Sequence, residues 1–126
     1  MKLNPDCTRA ILMAIEEVCD ATHYFSSKED LKMIAGNFSQ EEIDYHARQC
    51  GFAGLIVDFK CDVLNGWTTK DLSPKGHEFL ANIRTDTIWN KVKSISVEVG
   101  SKSISGLMQI ASAVVTELIK DKFGLR

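Results

Sequence analysis

The sequence predicts an α+β fold whose last third is purely helical. Capped amphipathic helical patterns open the chain and recur along it. An apolar, β-rich run at Leu55–Cys61 leads into an Asn65-Gly66 hairpin signal, and no strand pattern returns beyond Arg84. The 126 residues, 44% hydrophobic and 25% charged, suit one domain with a helical extension and bury a core without staples. A net charge of -2 supplies no overall basic field to draw the chain to nucleic acid.

Asn4 caps the first helix, Pro5 suits its first position and Asp6 favours the positive end of its dipole. Ile11, Leu12, Ile15, Val18 and Cys19 recur at helical spacing, and the pattern fades at residues 20–22. Ser27 followed by Glu29 and Asp30 leaves a short helix or an edge strand open, and Gly36-Asn37 is a break. Ser39 and Glu42 form a capping box, in which each side chain satisfies the other's backbone amide. The helix it opens carries Ile43, Ala47 and Cys50 on one face and ends at Gly51 or Gly54. Leu55–Cys61 reads as one strand, and Trp67, Thr68 and Thr69 as the strand returning from the hairpin. Ser73 and Pro74 then start a helix that buries Phe79, Leu80 and Ile83.

The remainder is helical. Ile88, Trp89, Val92, Ile95 and Val99 recur at three- and four-residue spacing up to a stop at Gly100. Ser103 opens the last helix, with a broad stripe of Ile104, Leu107, Met108, Ala111, Val114, Val115, Leu118 and Ile119. Lys120 and Lys122 complement its negative pole. Cys7, Cys19, Cys50 and Cys61 include no C-x-x-C pair and read as free thiols in a reducing, cytoplasmic setting. No hydrophobic run follows Lys2 as in a secretory signal, and nothing approaches the ~20 apolar residues that span a bilayer.

The order helix, short piece, helix, strand, hairpin, strand, helix resembles a winged helix-turn-helix domain over about Lys2 to Arg84. "SQEEIDYHARQCGFAGLI" is similar to the recognition-helix segment of winged-helix regulators, "VLNGW" to a wing tip and "DLSPKGHEFLANIR" to the phrase that follows the wing. From "MKLNPDCTRAIL" onward the chain also resembles a family of short phage- and prophage-associated bacterial proteins of unknown function. The resemblance implies a winged-helix domain over residues 1–84 and a C-terminal helical extension over 85–126.

No catalytic constellation emerges. His77 lacks a partner, since adjacent Glu78 points elsewhere on a helix. His23 and His46 are isolated, and although His46 and Cys50 share a helix face four residues apart, no further ligands complete a metal site. There is no phosphate-cradling glycine loop and no nucleophile elbow, so the reading expects no enzyme, cofactor or metal.

The resemblance implies a transcriptional regulator that binds double-stranded DNA. Gln40, Tyr45, Arg48 and Gln49 would face bases, and Lys60, Lys70 and Lys75 phosphates. Glu41, Glu42 and Asp44 would repel a polyanion. The alternative is an adaptor or inhibitor that meets a host or phage protein through the same surface. The last helix is expected to pair two copies in a homodimer, and no membrane association is expected.

Overall fold

A computed structural model describes residues 1–124. They form a mixed α+β fold of five α-helices and two small antiparallel sheets. Contacts divide the chain into two compact units between His77 and Glu78, inside the third helix, where the sequence reading divides it after Arg84.

In the first unit, α1 spans Pro5–Val18 with the Asn4 side chain accepting from the Asp6 amide, and it buries Cys7, Ile11, Leu12 and Ile15. The segment left open contains both expected elements, a two-residue strand β1 (Phe25–Ser26) and a 3-10 turn at Leu31–Met33. Helix α2 is Gln40–Phe52, and the Ser39 hydroxyl caps it by accepting from the Glu42 amide at 3.1 Å. The reciprocal arm of the capping box is diverted. The Glu42 carboxylate accepts instead from Asn4 Nδ2 at 3.1 Å, which links the starts of α1 and α2.

The expected single strand over Leu55–Cys61 is two, β2 (Ile56–Val57) and β3 (Lys60–Asp62). The break lies at Asp58, whose φ of 52° is left-handed and which, as an aspartate, tolerates that region. The Thr69 hydroxyl and the Lys70 amide both donate to the Val57 carbonyl, at 2.7 and 2.9 Å, and close the bend. Strand β4 is Gly66–Thr69 and β5 is Asp71–Leu72. One sheet has the order β1-β4-β3 and the other pairs β2 with β5.

The hairpin register pairs Asp62 with Gly66 across a three-residue loop, and Gly66 has φ 73°. Glycine is the residue that takes this left-handed position without a steric penalty. Trp67 is the centre of the sheet, stacked on Phe25 at 5.2 Å between ring centroids and tilted against Phe59 at 5.8 Å. Helix α1 lies against α2 and β5.

Helix α3, Pro74–Ile83, begins as expected, with the Gly76 amide donating to the Ser73 hydroxyl at 3.0 Å. A Cβ on Gly76 would overlap the Leu55 carbonyl oxygen, so only glycine permits this approach of helix to strand.

In the second unit, α4 (Asp86–Val99) is capped by Thr85 and stopped by Gly100, whose φ is 71°. Helix α5 (Ile104–Phe123) is capped by Ser103 and packs along α4. The seam buries Trp89, Val92 and Ser96 from α4 and Ile104, Leu107, Ala111 and Val114 from α5. The expected stripe continues to Leu118 and Ile119, but both are exposed. The geometry of the pair accounts for this, since α5 has 20 residues and α4 only 14. Among the described residues no helix is long and apolar enough to cross a membrane.

Candidate functional site

Helix α2 turns Ile43, His46, Ala47 and Cys50 inward. At 100° per residue its opposite face carries Glu41, Tyr45, Arg48 and Phe52. Phe52, at 77% exposure, is an unusually bare aromatic ring. Met1, Glu41, Asp44, Tyr45 and Arg48 line a shallow cleft of about 350 Å³ on this side. Of the four base-facing candidates, Tyr45 and Arg48 therefore come together. Gln40 and Gln49, nine residues apart, lie toward opposite edges of the face.

Two polar knots hold α2. In the first, His46 is fully buried, and its Nδ1 lies 2.7 Å from the Glu42 carbonyl while its Nε2 accepts from the Asn4 amide at 2.7 Å. A carbonyl only accepts and an amide only donates, so these partners assign the neutral Nδ1–H tautomer. Both ring nitrogens are thus engaged, which leaves no lone pair for the metal weighed in the sequence with Cys50. In the second knot, Trp67 Nε1 donates to Asp44 Oδ1 at 2.9 Å and ties the helix to β4.

Sequence reasoning missed both knots and the bare Phe52. A faint signal existed for each knot. His46 falls on the same turn face as Ile43, Ala47 and Cys50, and a tryptophan buried by a sheet needs an acceptor for its N–H.

The three candidate lysines sit on different elements. Lys60 is exposed on β3. Lys70, between β4 and β5, lines a separate cleft with Asp20, Ala21, Val57 and Asp71. Lys75 Nζ donates to the Ala53 carbonyl at 3.2 Å, so it caps the end of α2.

The hairpin tip is apolar. Val63 and Leu64 are almost wholly exposed. Asp62 folds the loop beneath them, accepting from the Leu64 amide at 2.9 Å and from Asn65 Nδ2 at 3.1 Å. The Leu64 amide first, then the Asn65 side chain and more weakly Lys28, hold the Asp62 carboxyl below its ordinary range.

His77 is half exposed, with Nε2 4.0 Å from Asp71 Oδ1, a partner the sequence reading overlooked in favour of Glu78. The nearby Ser73 hydroxyl is engaged, since it donates to the Gly54 carbonyl at 2.6 Å and caps α3. His23 Nδ1 lies 2.9 Å from Asp20 on the surface. All four cysteines are free. Burial pushes the Cys7 and Cys50 thiols up to about 12 and Cys19 to about 11. Among the described residues no three His, Cys, Asp or Glu side chains gather as a metal site.

Residues 2–102 match the family described as "Hypothetical protein (DUF2513)". An uncharacterized protein of Haemophilus influenzae is 30% identical over 122 residues, covering 94% of this chain and 99% of that protein. No solved structure matches the chain.

Proposed function

The chain belongs to that family, and from its own geometry we propose that it is a non-enzymatic, winged-helix protein-binding module whose contact surface is the outward face of α2. The single observation that carries this reading is the grouping of Tyr45 and Arg48 with the bare Phe52 on that face. Aromatic and arginine side chains anchor protein interfaces, because they bury large rigid surfaces and keep a polar handle. The exposed apolar tip at Val63 and Leu64 supports the same reading.

The winged-helix assignment is supported by the element order and by the strand order β1-β4-β3, in which the β3–β4 hairpin serves as the wing. The prophage setting rests on the sequence resemblance alone. A cytoplasmic setting is supported by four unpaired thiols.

A photoreactive aromatic residue placed at Phe52 tests the proposal in cells. It is expected to form a discrete protein adduct that Arg48→Glu abolishes. An adduct indifferent to Arg48→Glu and Tyr45→Ala overturns it.

Regulation through DNA is the second reading, favoured by Arg48 on the exposed face and by the exposed Lys60 on β3. Glu41 on the face and the engagement of Lys75 weigh against it, because phosphate neutralisation supplies most non-specific affinity. A gel shift of duplex DNA flanking the chain's own gene at about 50 mM salt, lost in Arg48→Ala, would establish the second reading instead. Homodimerisation through α5 is supported by the exposed Leu118, Ile119 and Phe123.

A further inference from the structure

We propose that β3 is a self-pairing edge, through which two copies of this chain join antiparallel about Cys61 and merge their sheets. Strand β3 closes the order β1-β4-β3, so only one of its sides is paired, and all three of its residues are exposed. An open edge presents unpaired amides and carbonyls to any extended chain.

The backbone of β4 shows which groups of β3 are open. The Trp67 carbonyl accepts from the Ser27 amide at 2.9 Å, and its amide donates to the Ser27 hydroxyl at 2.9 Å. Both Trp67 groups therefore turn to the β1 side. Cys61 stands opposite Trp67 in the register, so theirs is the non-hydrogen-bonded kind of antiparallel pair. The Cys61 amide and carbonyl thus point out of the free edge, with no partner among the described residues.

The side chains decide what fits there. Lys60 and Asp62 flank Cys61 on one face of the strand. A second β3 running antiparallel about Cys61 sets each Lys60 against Asp62 of the other copy. The two Cys61 residues then exchange their backbone hydrogen bonds. The Lys60–Asp62 couples become the closer, non-hydrogen-bonded pairs, with about 4.5 Å between Cα atoms. Opposite charges across such a pair stabilise it, and like charges oppose it. The Asp62 carboxylate accepts from the Leu64 amide and Asn65 Nδ2 and retains lone pairs for an ammonium group.

The same pattern rejects the neighbouring registers. A slip of two residues sets Lys60 against Lys60, or Asp62 against Asp62. A slip of one turns the strand's faces over. The central register also places the fully exposed Val63 across from Phe59 of the second copy. That ring, tilted against Trp67 at 5.8 Å, then covers an apolar side chain that a single copy leaves in water. Pairing at β3 is separate from the α2 contact surface and from any pairing at α5, and residue-level signals tell them apart.

A three-residue edge buries little area, so the dimer is expected to be weak, with Kd on the order of 0.1 mM. Amide NMR signals of residues 59–63 in the full chain should therefore shift on dilution from about 1 mM to about 0.02 mM. The Cys61 amide is expected to exchange about threefold more slowly at the higher concentration. In a mixture of isotope-labelled and unlabelled chains, a contact is expected between Lys60 Hα and Asp62 Hα of different copies, because these protons meet in the closer pair. Lys60→Glu sets acid against acid at both couples and is expected to raise Kd at least about tenfold. No change on dilution, changes confined to α5, an intermolecular contact of another register, or an unchanged Kd in Lys60→Glu would each overturn the proposal. The dilution and mixed-sample readouts use the wild-type chain and decide the matter even if the variant does not fold.

Discussion

The two units are stabilised by different kinds of information. In the first, key bonds join residues far apart in sequence: Asn4 with His46, Ser27 with Trp67, Asp44 with Trp67, and Gly54 with Ser73. In the second, the α4–α5 hairpin is built from local caps at Thr85, Gly100 and Ser103 and from one apolar seam. A polar knot is specific but leaves a buried orphan when one partner is removed, whereas a seam loses stability gradually as methyl groups are removed. The teaching is that the first unit fails at points and the second by degrees. Each unit contains one of the two tryptophans, Trp67 and Trp89, so variants that keep only one of them, with Phe at the other position, let fluorescence follow the units separately.

The largest expected effect is at Gly76→Ala, whose Cβ would meet the Leu55 carbonyl. It should destabilise the first unit by about 3 kcal/mol or more, read as a lowered denaturation midpoint of the Trp67 signal. An equal shift of the Trp89 signal would show that the units do not unfold separately and would dissolve the comparison.

Asp44→Ala comes next, because it strands the buried Trp67 N–H. A loss of about 2 kcal/mol is expected in urea denaturation, with the Trp67 emission altered even before unfolding. A loss under about 0.5 kcal/mol would mean that the knot is solvated and that the first unit is less point-sensitive than argued.

Alkali should also single out the first unit. The Cys50 thiol titrates near 9 when unfolded and at about 12 in the fold, so the folded state binds more protons between these values. Stability from the neutral thiol is complete below about pH 9 and lost as pH rises, by about 1.4 kcal/mol per pH unit for this one group. Cys7, raised likewise, steepens the fall. Denaturation curves at stepwise pH should become shallower in their pH dependence in Cys50→Ala.

The smallest effect belongs to the second unit. Ser103→Ala removes one cap acceptor at the start of α5 and should cost about 1 kcal/mol on the Trp89 signal. A collapse of that signal would place a point failure where only gradual loss is argued.

Legibility follows the same division. The caps at Asn4, Ser39, Ser73 and Ser103 were readable because the cap and the amide it serves lie within three residues. The break at Asp58 was not read, although an aspartate, one of the few residue types that tolerate the left-handed region, interrupts the apolar run there. In the candidate site, Tyr45 and Arg48 were legible from helical spacing. The positions of Lys70 and Lys75 were not, because their neighbours, Asp20 and the Ala53 carbonyl, come from other elements.

By itself, then, the sequence determined the elements with local causes: five helices placed by periodicity and capping, and a hairpin whose Asn65-Gly66 signal falls at the end of its three-residue loop. Tertiary structure alone decided that His46 and Asn4 form a knot, that Asp44 serves Trp67, and that Phe52 is left bare. The physical reason is range. Helix periods and caps act within a turn of the chain, while a buried donor's choice of acceptor waits until distant segments are brought together.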